Sequence, residues 1–208
     1  MHQHLSDQQL VTPPPKIVLN GLTVRFANKI LFDELSTEFP KGKCSCILGS
    51  SGSGKSTLLK SIAGLVGDND KVVMGDGFPL DGKVAWMDQR DLLLPWLNAM
   101  DNVQLGMKLR GEQRKDQQAL KLLEGVGLRG QESLMPHMMS GGMRQRVALA
   151  RTLMENKPLV LMDEPFSSVD AITRIRLQSL ASKLLLDRTV LLVTHDPWEA
   201  LRLGHCIY

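Results

Sequence analysis

Residues 49–57 decide the fold, and they read Gly49-Ser50-Ser51-Gly52-Ser53-Gly54-Lys55-Ser56-Thr57. The stretch fits the pattern G-x-x-x-x-G-K-[ST], and it follows an apolar strand and opens a helix, as that pattern requires. Glycines let the backbone wrap around a phosphate without Cβ clashes, so that successive N–H groups point inward. The sequence therefore predicts a phosphate-binding loop, in which Lys55 reaches the β and γ phosphates and Ser56 coordinates Mg²⁺. A flexible Ser/Gly turn is the alternative interpretation.

An acidic pair further along the chain complements this loop. Residues 159–162 read as a buried strand, and Asp163 and Glu164 follow it directly. Ligands bind at the carboxyl ends of strands in open α/β sheets, so Asp163 is placed to hold Mg²⁺ through water. Glu164 can then polarise the attacking water as a general base. Alone, an acidic turn after a strand is ordinary, and it is the pairing with the glycine-rich loop that favours chemistry.

The remaining chain alternates between strands and helices around these motifs. Extended structure is predicted for residues 16–27, 30–39, 44–48, 83–87, 159–162 and 190–193, and helix for residues 55–65, 142–155, 171–186 and 197–203. Between about residues 91 and 139, the composition of Met, Leu, Gln and Lys favours an inserted helical lobe. Apolar runs without alternation are typical of a parallel sheet buried on both faces, so we expect an α/β fold.

Composition excludes several classes of protein. With 208 residues that are 43% hydrophobic, the chain can bury a core, yet its apolar runs are far shorter than a membrane span. A net charge of +3 and nine aromatic residues (three Trp, one Tyr, five Phe) give no basis for nucleic-acid binding. Residues 1–15 carry no signal-peptide pattern, which predicts a flexible leader on a cytoplasmic protein. Cys44 and Cys46 are expected as buried strand residues and not as metal ligands.

One motif carries a family resemblance. The segment Met139-Ser140-Gly141-Gly142-Met143-Arg144-Gln145-Arg146 resembles the signature sequence of ABC (ATP-binding cassette) ATPases, and it stands about twenty residues ahead of the acidic pair. Ser140 and the amides of Gly141 and Gly142 open a helix and would form a second anion site. The alternative is an ordinary capped helix start.

The resemblance implies a fold and a domain plan. The fold would be α/β, a P-loop NTPase with a mostly parallel core sheet, an N-terminal antiparallel β subdomain and an inserted α-helical subdomain. Residues 16–208 would form one ABC ATPase domain. Its core with a β edge would comprise residues 16–90 and 157–208, and its helical subdomain and signature helix about residues 91–156.

Other family motifs fall in the expected order along the chain. Gln89 matches a glutamine that touches Mg²⁺ and water, and His195 matches a histidine that contacts the γ-phosphate. Phe26 lies where the family places an aromatic residue that stacks on adenine. The segment Ser167-Ser168-Val169-Asp170 resembles the one that crosses the dimer interface. Each signal is weak alone, and the order is what supports the resemblance.

The resemblance also implies cofactors and partners. Two cassettes would pack head to tail, so that ATP on the loop of one copy is covered by Ser140, Gly141 and Gly142 of the other. ATP and Mg²⁺ are the expected ligands. The partners would be a second cassette and integral membrane permease subunits, with a solute-binding protein in a complete importer, and the chain would lie on the cytoplasmic face of the membrane through the permease.

The segment Leu92-Leu93-Leu94-Pro95-Trp96-Leu97 is a candidate permease contact, with burial in the helical lobe as the alternative. Together with Asp101-Asn102-Val103 it looks like the cassettes of bacterial importers for nitrate, sulfonates, taurine and thiamine-related pyrimidines. Such an analogy does not fix a substrate.

Some features depart from the family pattern and leave rival interpretations. Met143 replaces the usual Gln of the signature, and the 34-residue interval from Lys55 to Gln89 predicts a trimmed edge sheet. One rival is a soluble ABC ATPase without a permease, of the iron–sulfur assembly type. Another is a phosphate-loop kinase or a regulatory binding module.

Overall fold

The computed structural model describes residues 13–26, 29–66, 72–75, 80 and 82–208. Its strands are β1 (Ile17–Phe26), β2 (Lys29–Phe39), β3 (Cys44–Leu48), β4 (Val72–Met74), β5 (Val84–Met87), β6 (Leu159–Asp163), β7 (Thr189–Thr194) and β8 (Cys206–Ile207). Its α-helices are α1 (Lys55–Ile62), α2 (Ala99–Val103), α3 (Leu105–Leu109), α4 (Asp116–Gly125), α5 (Gly141–Met154), α6 (Ala171–Leu184) and α7 (Pro197–Leu203).

These residues form two compact units. The helical unit comprises Met87–Asn156 and Pro165–Leu185. The sheet unit comprises the described part of Leu10–Trp86 together with Lys157–Glu164 and Leu186–Tyr208.

A five-stranded sheet in the order β5-β6-β7-β3-β8 forms the centre of the sheet unit. The pairs β6–β7, β3–β7 and β3–β8 are parallel, so these four strands end at the same edge. Every residue of β6 and of β7 is buried, as the unbroken apolar runs of the sequence predict for strands covered on both faces. The loops that follow β3, β6 and β7 therefore emerge side by side.

A second sheet has the order β2-β1-β4, and its pairs are antiparallel. The β1–β2 pairing runs from Ile17 opposite Phe39 to Phe26 opposite Lys29, with irregularities between Leu19 and Arg25. One apolar core joins this sheet to β3, β6, β7 and α1, and its members include Leu22, Phe39, Leu59, Leu161 and Leu191.

The helical unit is organised around α5, against which α2 and α4 pack. Leu122, Leu123, Val103 and Val147 are fully buried in this unit. Asn102 is also fully buried, and it is satisfied by four hydrogen bonds. Its Oδ1 accepts from Leu94 N at 2.8 Å, and its Nδ2 donates to the carbonyls of Leu94, Leu97 and Asn98 at 2.8–3.2 Å.

The predicted fold class is confirmed: a mostly parallel sheet, a separate antiparallel sheet and a set of helices are all present. The predicted helix from Lys55 ends earlier, at Ile62, before the left-handed Gly64. Strands β4 and β8 were missed, because two or three residues give no readable periodicity. Among the described residues, no helix is both long and apolar enough to cross a bilayer.

Candidate nucleotide site

The glycine-rich loop after β3 has the backbone of a cradle. Gly52 and Gly54 have φ angles of 79° and 93°, a region that residues with a Cβ rarely adopt. A Cβ on Gly54 would also lie 3.1 Å from Cε2 of Phe32. Gly54 caps α1 without any side-chain hydrogen bond, so the first amides of the helix face the loop. Helix N-termini of this kind attract anions.

Lys55 supplies the positive charge of the cradle. Its side chain is only 8% exposed, and its Nζ donates to Gly49 O at 2.8 Å, Ser50 O at 2.7 Å and Ser53 Oγ at 3.3 Å. These three bonds use the three N–H donors of an ammonium. These bonds thus hold the Lys55 ammonium on the concave side of the loop.

Two more strands deliver residues to the same edge of the sheet. Asp163 ends β6 and pairs in register with Val193, while Leu48 at the end of β3 pairs with Thr194 at the end of β7. Asp163 is 2% exposed. Glu164 and His195 follow these strands directly, so the topology gathers the predicted loop, the acidic pair and the histidine in one place.

Glu164 has a left-handed backbone, with φ at 46°. A non-glycine residue in this region carries strain of about 1 kcal/mol or more, which surrounding contacts must hold in place. The Glu164 amide donates to Val193 O at 2.9 Å, and its carboxylate Oε1 lies 3.1 Å from Nδ1 of His195. The Glu164 side chain is 14% exposed and that of His195 is 55% exposed.

The distance between Glu164 and His195 suits a hydrogen bond. An ionised carboxylate only accepts hydrogen bonds, so such a bond would place the hydrogen on Nδ1 of His195. In the neutral imidazole, Nε2 is then an acceptor, and it becomes a donor only when the ring is protonated or turned.

The turn that carries His195 is held by residues that sequence reasoning missed. The hydroxyl of Thr194 donates to Oε2 of Glu199, which is 6% exposed, and accepts from Asp196 N at 3.0 Å. Asp196 in turn caps α7 by accepting from Trp198 N at 2.9 Å. Thr194 and Asp196, the two neighbours of His195, are therefore both held by hydrogen bonds. The sequence signal was the spacing of Thr194, Asp196 and Glu199, but it could not be interpreted without knowing where the turn lies.

The donors near the loop suit Mg²⁺ chemically. Ser56 lies in the first turn of α1, which packs against β6, the strand that ends in Asp163. Hydroxyl and carboxylate oxygens are the ligands that Mg²⁺ prefers, with the remaining positions taken by water and phosphate. Ser56 and Asp163 are therefore suitable protein ligands for the ion. The described residues contain no cluster of three or more His, Cys, Asp or Glu side chains arranged for a metal ion.

The signature segment begins α5 in the helical unit. Ser140 is exposed, and its hydroxyl accepts from Met143 N at 3.2 Å, which makes it the N-cap. A Cβ on Gly142 would lie 3.1 Å from Ser168 O, so this glycine permits a close approach of the segment 167–170. In that segment, Ser167 and Ser168 are exposed and Asp170 caps α6 through Thr173 N at 3.0 Å. Hydrogen bonds from Thr173 lower the pKa of Asp170.

Two predicted residues remain to be placed. Gln89 is exposed in the bend that follows β5. The backbone of Phe26 ends β1, but its side chain lies outside the described residues, and so does the predicted adenine contact.

A parallel sheet with a glycine-rich phosphate loop after β3 and an Asp-Glu pair after β6 defines a phosphate-loop ATPase. The chain belongs to the ABC transporter family, because its residues 32–167 match the family model described as ABC transporter. It is therefore an ATP-binding cassette with ATPase activity, as the signature segment indicated.

Among its relatives is an uncharacterized ABC transporter ATP-binding protein of Haemophilus influenzae, 45% identical over 91% of this chain and 80% of the relative. Another is the aliphatic sulfonates import ATP-binding protein SsuB 1 of Rhodococcus jostii, 45% identical over 89% of this chain and 75% of the relative. A solved structure, the dimeric post-hydrolysis state of the ATP-binding cassette MJ0796 bound to ADP and Pi, is similar with a TM-score of 0.79 and 29% identity, covering 92% of both chains.

Proposed function

We propose that this chain is the ATP-hydrolysing subunit of an importer for a small anionic solute, and that it works as a dimer closed by ATP. Two copies would sandwich two MgATP molecules, each held by the loop 49–57 of one copy and covered by Ser140, Gly141 and Gly142 of the other. The chain would lie on the cytoplasmic face of the membrane by binding integral permease subunits, with a solute-binding protein in the full system.

Within one copy, the predicted site residues of the sheet unit would have separate roles. The loop amides and Lys55 hold the β and γ phosphates, and Lys55 exchanges its bonds to Gly49 O and Ser50 O for phosphate oxygens. Ser56 and Asp163 would hold Mg²⁺, which would offset the charge on the phosphates. Glu164 accepts a hydrogen bond from the attacking water and orients it. His195, once its Nε2 carries a proton, donates to the γ-phosphate.

One observation supports the proposed dimer. The signature turn is exposed at Ser140, yet the arginines that follow it donate to groups of their own unit. Arg144 donates to Asp91 Oδ2 and Met139 O, and Arg146 donates to Val126 O, Gly127 O and Gly142 O. A helix start whose neighbouring arginines are already paired binds an anion weakly. We therefore infer that this turn binds a phosphate that is held by the loop of a second copy. Relatives of known structure are described as dimeric.

The solute class follows from the relatives. Several chains that are 41–45% identical are named as aliphatic sulfonates import ATP-binding proteins. We transfer from them the class of cargo, a small organic anion, and the direction of transport.

The dimer is tested with Glu164→Gln, which should bind MgATP and hydrolyse it about 10²–10⁴-fold more slowly because the base is lost. Light scattering after gel filtration should find a species of twice the 23.1 kDa monomer mass with MgATP. The double variant Glu164→Gln/Ser140→Arg is the matched control and should stay monomeric. A monomeric Glu164→Gln protein with normal turnover would contradict the proposal.

The importer role is tested separately by uptake of radiolabelled ethanesulfonate in cells that lack the chromosomal copy of the gene. Expression of the wild-type chain should restore uptake and Lys55→Met should not. If neither protein changes uptake while the purified cassette hydrolyses ATP, the sulfonate cargo is wrong and the ATPase assignment stands. A soluble ATPase of the iron–sulfur assembly type would also give this result.

A further inference from the structure

Two arginines of the signature helix bind the segment that follows β5. Arg144 and Arg151 are seven residues apart on α5, so they lie on the same side of the helix two turns apart. Nε of Arg144 donates to Oδ2 of Asp91 at 2.9 Å. Arg151 donates through NH2 to Asp91 O at 2.7 Å and through NH1 to Leu92 O at 2.9 Å.

Arg144 also reaches the signature turn itself. Its NH1 donates to Met139 O at 3.0 Å, the carbonyl directly before Ser140. One planar guanidinium thus bridges the start of the signature turn and Asp91, a geometry that a lysine could not reproduce. Burial lowers the pKa of Arg151, as expected for a cation that is packed and not solvated.

The bound segment is held by further hydrogen bonds and presents apolar side chains. Leu92 is left-handed, with φ at 46°, and Asp91 Oδ1 accepts from Leu93 N at 3.2 Å. Asn102 fixes the other end through Leu94 and Leu97. Leu93 is 9% exposed, whereas Leu92 and Trp96 are 48% and 69% exposed, so the segment is part core and part surface. Burial in the helical lobe is thus confirmed for Leu93, and the permease contact stays a prediction for Leu92 and Trp96.

We propose that Arg144 and Arg151 are positioning residues that lock the segment 91–97 onto the signature helix, so that a partner bound at Leu92 and Trp96 acts directly on the turn at Ser140. The identity of that partner, a membrane permease, rests on the proposed function. The lock itself does not rest on the proposed function, because all of its hydrogen bonds lie within the helical unit.

The lock is tested by hydrogen exchange on the purified full-length chain. Arg151→Met keeps the apolar stem and removes both hydrogen bonds, so exchange at the amides of Leu93, Leu94 and Leu97 should accelerate about tenfold. Exchange in α4 and the basal ATPase rate should stay unchanged, and the melting temperature should fall by no more than a few degrees. Arg151→Lys should recover part of the protection. Arg129→Met is the matched control, since the Arg129 side chain is exposed and its ion pair with Glu124, at 3.3 Å, lies at the surface.

Unchanged exchange at residues 93–97, or equal acceleration throughout the helical unit, would overturn the lock. In the uptake assay, Arg151→Met should lower ethanesulfonate uptake while purified ATPase activity is retained, and normal uptake with a loosened segment would overturn the transmission to Ser140. If the wild-type chain gives no uptake, the permease assignment fails, and the exchange experiment still decides the lock.

Discussion

The loop at Gly49 and the turn at Ser140 are both glycine-rich helix starts, and they differ in what they can bind alone. The first has left-handed glycines, no side-chain cap and a nearly buried lysine whose ammonium points over the cradle. The second has an extended, exposed serine that caps its own helix, followed by arginines bound elsewhere in the unit. We therefore expect a phosphate to bind the first helix start without help, and to bind the second only when another copy presents it.

The largest effect should come from removing the charge of the first site. Lys55→Met should abolish hydrolysis, on the order of a 10³-fold loss, and weaken nucleotide binding by the monomer, because the β and γ phosphates lose their main cation. Turnover assays and titration with a fluorescent ATP analogue measure both. The exposed Lys121→Met is the control and should behave as wild type. Unaltered binding by Lys55→Met would remove the distinction between the two helix starts.

The second site should respond differently. Ser140→Arg should reduce hydrolysis about 10²–10³-fold, because the opposing copy can no longer close over the phosphate, while binding to the monomer stays nearly intact. The same two assays apply, and Ser133→Arg on the same unit is the control, with Ser133 also exposed. Loss of monomer binding in Ser140→Arg would mean that both helix starts serve one nucleotide within a single copy.

The turn around His195 should give an intermediate effect. Thr194→Val removes the hydroxyl that joins Glu199 to Asp196 N, which should lower kcat about three- to tenfold and the melting temperature by a few degrees. Glu199→Gln keeps an acceptor for Thr194 and should cost less. Steady-state kinetics and thermal melts measure these changes. A larger loss in Glu199→Gln than in Thr194→Val would point to the charge of Glu199 and not to the positioning of His195.

The smallest effect sharpens the comparison at the signature turn. Gly142→Ala places a Cβ 3.1 Å from Ser168 O, whereas at Gly141 a Cβ meets only the end of Arg144 at 3.8 Å. Alanine is the better helix former, so Gly141→Ala should stabilise by about 0.5 kcal/mol and Gly142→Ala should lose that gain. Urea unfolding measures the difference in free energy. Equal stability would mean that Ser168 can shift freely.

The comparison also explains how much the sequence could predict. The loop 49–57, the acidic pair and the signature turn are local motifs, in which neighbouring residues act together. The first two could be predicted from residue types and spacing, and the third from its resemblance to the family signature. The pairing of Thr194 with Glu199 depends on how the turn folds. Contacts of Arg144 and Arg151 with Asp91 span 53 and 60 residues, and no local periodicity encodes a partner at that distance. Strands β4 and β8 form because they pair with neighbouring strands, and their own few residues carry no pattern that predicts them.

The left-handed backbone of Glu164 has a further consequence. The residue that should activate water has an unfavourable backbone conformation, which is held by the hydrogen bond from the Glu164 amide to Val193 O and by the surrounding sheet. Warming should release this local strain before the core melts, and a relaxed Glu164 would carry its carboxylate away from the water. The ATPase activity should therefore be lost several degrees below the temperature at which the circular dichroism changes. Measuring activity and circular dichroism against temperature would reveal this difference.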